Sequence, residues 1–370
     1  MPDSYEPLAA ASHREDGQSA GGGGGCEACE ARPHGLEPQL TELSEELRAA
    51  FLQMGQVLWG SSLLMLGVAW FTSTCSAGLP VAWYAIPVAV VGFVLVKERS
   101  VIQRVRDKST GNRYVMEALK TVDSLVYLQH PLVLKAFSAT LMLDIFTDAV
   151  QIAQAKDCDA LIAGQYAESW KDVPALGAAA QHVHLWYLFA AVLIMVYLLQ
   201  GAFGFCVALD GQRGASSLAY EHLAIAAEWA GALTSTRLML EIAEALAPSQ
   251  DGIPTPRERR VVFSAARNVL FENAPAMFLT VAFVASQADN LTPFGTAKCL
   301  FSFALSAGGA LGKAKDSFSC FGFGLGTYVG VAIVICVLGA VGKLVAVFLC
   351  DSHFVSYVTF QCVKKVGVDQ

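Results

Sequence analysis

The chain is 370 residues long, 54% hydrophobic and only 15% charged, with a mean hydropathy of +0.47. A soluble globular protein carries about 25% charged residues, so the deficit, with apolar residues gathered in blocks, places the chain in the membrane class. A net charge of −7 and a pI near 5.5 exclude the basic face that a nucleic-acid binder needs.

Residues 1–37 read as a disordered tail: Gly21 to Gly25 run together among prolines and scattered charges. No basic start, apolar run and cleavage site suggests a secretory signal. Cys26 and Cys29 form a lone CxxC, and even with His34 the segment falls short of the four ligands of a structural zinc site. It therefore reads as a tail with two thiols, and no metal or cofactor is expected. Residues 38–350 then form a multi-pass helical domain, and 351–370 a C-terminal tail.

Pro38 to Phe51 has a helical pattern with a polar start at Thr41, Ser44, Glu45 and Glu46, as expected of a helix on the membrane surface. Apolar blocks at 55–74 and 79–96 are separated by a few residues, Ser76 and Gly78 among them, and predict a hairpin of two crossings. Trp59, Trp70, Trp83 and Tyr84 lie near the block ends, as aromatic belt residues do. Pro87 is expected to kink the second crossing, which neighbouring helices tolerate in lipid. Lys97, Arg99, Arg104, Arg106, Lys108, Arg113 and Lys120 make 97–120 the densest basic run. The positive-inside rule puts this run, and with it the N-terminus, in the cytoplasm. The same run suits anionic lipid headgroups.

The stretch 132–155 is as long as a bilayer crossing but not uniformly apolar. Thr140, Asp144, Thr147, Asp148, Gln151 and Gln154 recur at helical steps and share one face. A charge at the bilayer centre costs about 3 kcal/mol on insertion scales, so this face must turn towards other helices or water. The acid-biased loop that follows, with Asp157, Asp159, Glu168 and Asp172, fits the outer side. Cys75 and Cys158 fall in loops expected on that side and are able to pair if it is oxidising. Cys206, Cys299, Cys336 and Cys350 sit in or beside apolar blocks, where Cys behaves as a small hydrophobe.

His182 and His184 lead into the cleanest span, 185–209; beside Trp186 and Tyr187 they read as headgroup-level residues, with no third or fourth metal ligand apparent. The interval 210–267 is the longest polar one and is expected in the cytoplasm. Within it, Ser217 to Ala247 is an amphipathic helical segment, single or broken near Gly231, ended by Pro248, Gly252, Pro254 and Pro256. Arg257, Arg259, Arg260 and Arg267 mark the cytoplasmic side of the next span, 269–288, which carries Glu272, Asn273 and Pro275 in its first turns. The apolar stretch 292–312, bounded at its core by Lys298 and Lys313, either crosses or re-enters. The last span, 322–349, repeats Gly322, Gly326 and Gly330 every four residues, a face that lets helices approach closely. Lys343 lies near enough to its end to snorkel.

The fold class is thus an all-α polytopic transmembrane bundle with six spans and 292–312 as a seventh in question. The candidate polar set is Asp144, Asp148, Gln151, Glu272, Asn273, Pro275 and Lys343. It either lines a pathway or locks helices together, Asp148 or Glu272 then pairing with Lys343. No catalytic activity is expected. Asp144 and Asp148 lie one turn apart on one helix and point the same way, unlike the converging carboxylates of an intramembrane aspartyl protease. The seven histidines are too scattered for a histidine-box oxidase, and no GxSxG, Walker loop or HExxH occurs.

Asp144-Ile-Phe-Thr-Asp148 in an early span, followed by Glu272-Asn-Ala-Pro275 at the start of a later one, resembles the multi-pass XK-related family, some members of which scramble phospholipids. That family has a later Glu-x-x-Pro-Gln; here Ala276 follows Pro275. The resemblance implies both termini in the cytoplasm and a conformation-setting role for Asp144, Asp148, Glu272 and Pro275. Two functions are consistent with the residues: movement of a solute, ion or lipid through a polar groove lined by the third and fifth spans, or a scaffold or sensor binding partners through its cytoplasmic loops.

Overall fold

The computed structural model describes residues 37–109, 112–128, 131–158, 184–210, 216–246, 256–287, 290–318, 324–349, 353–355 and 362–364. The N-terminal tail with Cys26, Cys29 and His34, the residue His182, and most of the C-terminal tail lie outside them.

The expected surface helix and the first span are one helix, α1, Glu37–Thr72. Leu43, Leu47, Phe51, Met54, Leu58, Met65 and Ala69 form an unbroken buried stripe at three-, four- and seven-residue steps, so nothing in the pattern calls for a break. A single 3₁₀ turn, Val81–Tyr84, leads into α2, Ala85–Lys108. Pro87 falls in the first turn of α2, where a missing N–H removes no ladder bond, so the expected kink has no cause. The basic residues of the run lie on two helices: the run ends α2 and begins α3, Arg113–Leu128.

The polar-striped helix is α4, Pro131–Asp157. Next comes α5, Leu185–Leu209, interrupted by a π turn at Tyr197–Ala202. The amphipathic segment is two helices, α6 (Ser217–Trp229) and α7 (Leu233–Leu246). They turn at Gly231, whose φ of +74° is the left-handed conformation that glycine adopts without strain. Helix α8 runs through Pro256–Asn268, a π turn at Val269–Asn273, and Ala274–Gln287. Helices α9 (Pro293–Phe318) and α10 (Gly324–Leu349) follow. A two-stranded antiparallel ribbon, His353–Val355 against Cys362–Lys364, stands in the C-terminal tail.

Among the described residues, six helices are long and apolar enough to cross a bilayer: Thr41–Thr72, Val81–Lys108, Leu185–Leu209, Glu258–Gln287, Pro293–Phe318 and Gly324–Leu349. Large apolar side chains such as Phe71, Ile194, Leu198, Leu270, Tyr328, Ile335 and Leu338 are exposed along them, where acyl chains replace water as solvent. The protein is a multi-pass integral membrane protein with an all-α bundle. Membership of the six differs from the sequence expectation. The stretch held in question, 292–312, lies within a full-length helix, α9, which is one of the six.

Helix α4 runs between the same two ends as its neighbours. At one end Ser73 donates to Asp157, Lys156 Nζ donates to the Trp70 carbonyl at 3.3 Å, and Cys75 is bridged to Cys158 with a Cα–Cα distance of 4.6 Å. Towards the other end Ser138 donates to the Gly231 carbonyl at 3.0 Å. We refer to these as the disulfide end and the basic end. Helix α1 starts at the basic end, where Lys108 meets Glu42 and Glu46. Helix α10 starts there too, with Gly330 against the Phe318 ring, and finishes in the cluster at the disulfide end through Val347. The described bundle thus begins at one end and finishes at the other.

Two of the apolar cores divide the bundle. One joins α4 to α1, α2, α3, α5, α6 and α7; the other joins α8, α9 and α10. The tip of the α6–α7 hairpin is wedged into the first of them. A Cβ at Gly55 of α1 or Gly204 of α5 would strike the Trp229 ring, so both positions need glycine for this approach.

Candidate functional site

The polar face of α4 points inward, and its partners come from α8, α9 and the loop between α1 and α2. Gln154 Nε2 donates to the Cys75 carbonyl at 2.9 Å. Gln151 and Thr280 of α8 face each other, with Thr280 Oγ1 at 3.0 Å from Gln151 Nε2 and 3.1 Å from Gln151 Oε1. Ser302 Oγ and Ser306 Oγ, one turn apart on α9, donate to Thr147 Oγ1 at 3.3 Å and to Asp144 Oδ1 at 2.9 Å. The groove partners expected on the fifth span alone are therefore shared with α9, and its serines carry no signal in an apolar sequence.

Asp144 and Asp148 are 1% and 5% exposed, and Asp144 Oδ2 and Asp148 Oδ1 have no hydrogen-bond partner. Most buried polar atoms in folded proteins are paired, because leaving one unpaired costs about 1–3 kcal/mol. These two oxygens are the unsatisfied carboxylate atoms of the α4 polar face.

Glu272 lies in the π turn of α8, and Gln200 in the π turn of α5. The two turns meet: Gln200 Nε2 donates to Glu272 and, at 3.3 Å, to Asn268 Oδ1. A π turn adds a residue to a helical turn and redirects the side chains around it, and such turns gather at functional sites. Pro275, which lacks an N–H, follows immediately on the bulge, where Ala274 N–H bonds back five residues to Val269. Asn273 is buried and lines a cavity of about 50 Å³ together with Trp59, Met142, Gln200, Glu228, Glu272 and others. At roughly 10–15 Å³ per water, that is room for a few waters. In this conformation the expected groove is a small cavity joined to a hydrogen-bonded seam.

Below Glu272, towards the basic end, stands an ionic cage around Glu228, the penultimate residue of α6. Arg260 Nη2 lies 2.6 Å from one carboxylate oxygen; Arg267 Nη2 and Lys313 Nζ lie 3.5 and 3.3 Å from the other. Ser264 Oγ also donates to Glu228, and Lys313 Nζ donates to Ser264 at 3.1 Å. Arg260, Ser264 and Arg267 sit at i, i+4 and i+7 of α8 and share one face. Burial alone would raise the Glu228 carboxyl pKa; the fields of Lys313, Arg260 and Arg267 reverse this and hold it well below the usual carboxylate range.

Lys343 is buried on α10, and the cations near Glu272 are Arg267 and Lys313. These two read from sequence as topology charges beside spans, and Glu228 as one of several charges on an amphipathic helix. Gln200, alone in the cleanest span, carried a signal that sequence reading passed over. So did Glu98, a buried acid inside the basic run, which accepts the Ser235 N–H at 2.9 Å in the first turn of α7. His184 stands edge-on to Tyr187 with ring centroids 5.6 Å apart, within an aromatic group that includes Trp186.

The chain matches no protein-family model, and no curated protein or solved structure matches it significantly.

Proposed function

We propose that the protein moves a solute, an ion or a lipid headgroup along the polar seam between α4, α8 and α9, as a conduit and not as an enzyme. One observation carries this reading: two aspartates buried mid-bundle, each with an oxygen that no protein group satisfies. Residues kept only to lock helices gain by closing every bond, as Gln151 and Thr280 do; a pathway needs groups left available to what passes. By the positive-inside rule, the basic run on α2 and α3 supports a cytoplasmic side for that end and for the N-terminus. The disulfide end then faces an oxidising compartment, where a Cys75–Cys158 bridge persists. The likeness to the XK-related family adds phospholipid to the candidate cargoes and the basic run adds anionic headgroups as contacts.

The test is flux in reconstituted vesicles, reading monovalent cations and fluorescent phospholipid in parallel. The D144N/D148N double variant is expected to lose at least tenfold in one of the two fluxes while inserting normally. Wild-type flux at wild-type yield would overturn the proposal. Low yield, with residual protein of unchanged specific flux, would favour a scaffold.

A further inference from the structure

We propose that Arg260, Arg267, Lys313 and Ser264 form a binding site for a phosphate-bearing anion, and that Glu228 of the protein's own chain now holds the anion's place. The donor set is that of an anion site. Four side chains from α8 and α9 converge on a single carboxylate, two of them guanidinium groups. Arg260 Nε is in addition buried and without a partner, a spare donor on the cage wall. A carboxylate has two oxygens for these donors; a phosphate spreads three around a tetrahedron and suits guanidinium forks.

Charge points the same way. Three cations within ion-pair distance face one carboxylate, and the side chains of all four are 10–14% exposed. Glu272, the other carboxylate in the field of Arg267 and Lys313, is engaged by Gln200. A phosphate dianion or diester in place of Glu228 balances the cage at least as well. Glu228 is also the one member of the cage that lies beside a turn. It is the penultimate residue of α6, three residues before Gly231 at the hairpin's left-handed turn, whereas the donors sit on long bundle helices. The cavity of about 50 Å³ beside it is lined by both Glu228 and Lys313, so the carboxylate has space to leave its place.

Depth in the bundle suits a headgroup. Lys298 binds the Ala77 carbonyl at the disulfide end, and Lys313 is fifteen residues further along α9, about 22 Å at 1.5 Å per residue. The cage thus lies towards the opposite leaflet's headgroups, where a lipid phosphate or a free phosphate from the aqueous side has the same chemistry. The inference rests on the proposed function for its orientation alone; D144N/D148N tests the seam and leaves the cage intact, so flux and binding fail separately.

The experiment uses full-length protein in detergent micelles at constant ionic strength, with two probes: inorganic phosphate, and phosphatidic acid doped into the micelle against a phosphatidylcholine control. In E228Q the cage loses its placeholder, and the melting midpoint should fall below wild type and be restored by a probe that leaves wild type nearly unmoved. The dissociation constant for that probe should be at least tenfold lower in E228Q than in wild type, and adding R260Q should abolish the gain. Rescue by phosphatidic acid alone identifies a lipid headgroup; rescue by inorganic phosphate identifies a soluble anion. If E228Q does not fold, E228D, which keeps the charge but retracts it, should show a smaller gain. No gain in affinity for either probe in the variant that folds overturns the site.

Discussion

At the scale of single residues, the polar seam divides into satisfied and unsatisfied groups, and the two should respond differently to substitution. Gln151 and Thr280 pair with each other, so Q151L leaves Thr280 buried and alone. It should cost about 1–3 kcal/mol, measured by thermal or detergent unfolding, and Q151L/T280V should recover most of that loss. Glu228 provides the pH dependence. Its carboxyl is lowered in the folded state, so its contribution is fully present above the unfolded value, about 4.3. That contribution is lost as pH falls through the lower folded value. The stability gap between wild type and E228Q is therefore expected to stay constant from neutral pH down to about 5 and to narrow below about 4. A gap that narrowed near pH 6 or 7 would mean that the cage is not what holds the carboxylate.

At the scale of elements, the α6–α7 hairpin is fixed by fit at one point and by a cap at another. Trp229 lies where any side chain at Gly55 or Gly204 would intrude, and Trp59 Nε1 donates to the Trp229 carbonyl at 2.9 Å. G204A is expected to overpack this contact at about 1–3 kcal/mol, and the added cost should largely vanish in a W229A background, a coupling a double-mutant cycle reads directly. Glu98 receives an N–H from the first turn of α7, the position where a negative charge favours a helix most. E98A should loosen that turn, seen as faster amide exchange at the start of α7 with α10 unaffected. Helix existence was legible in the sequence for nearly every element, because lipid demands long apolar runs and the runs are plain. What escaped was continuity. Nothing in residues 38–51 or 97–108 marks them as extensions of α1 and α2, since a polar helix and a polar loop look alike until the helix beneath is seen to go on.

At the scale of the molecule, the loop joining α1 to α2 closes the disulfide end. It is held by the Cys75–Cys158 bridge, by Gln154 on the Cys75 carbonyl, by Thr292 on the Ser76 carbonyl at 2.9 Å, and by Lys298 on the Ala77 carbonyl at 2.6 Å. The bridge spans 83 residues, for which chain entropy sets an upper limit of about 4.5 kcal/mol; lipid already confines the unfolded helices, so the measured effect should be smaller. C75S is expected to lower the melting midpoint under non-reducing conditions and to leave it unchanged once wild type is also reduced.

Composition and hydropathy by themselves determined that this chain lives in lipid, that its body is a helical bundle, and that the face of Asp144, Asp148 and Gln151 turns inward. Each of those follows from the solvent acting on one short stretch at a time. Tertiary structure alone decided that α9 supplies the serines opposite Asp144, that two π turns bring Gln200 to Glu272, and that Glu228 is gripped by residues as far as 85 positions away. Hydropathy is a property of a segment, whereas a hydrogen bond or ion pair is a property of two; which two meet depends on how the helices stack, and no single segment carries that.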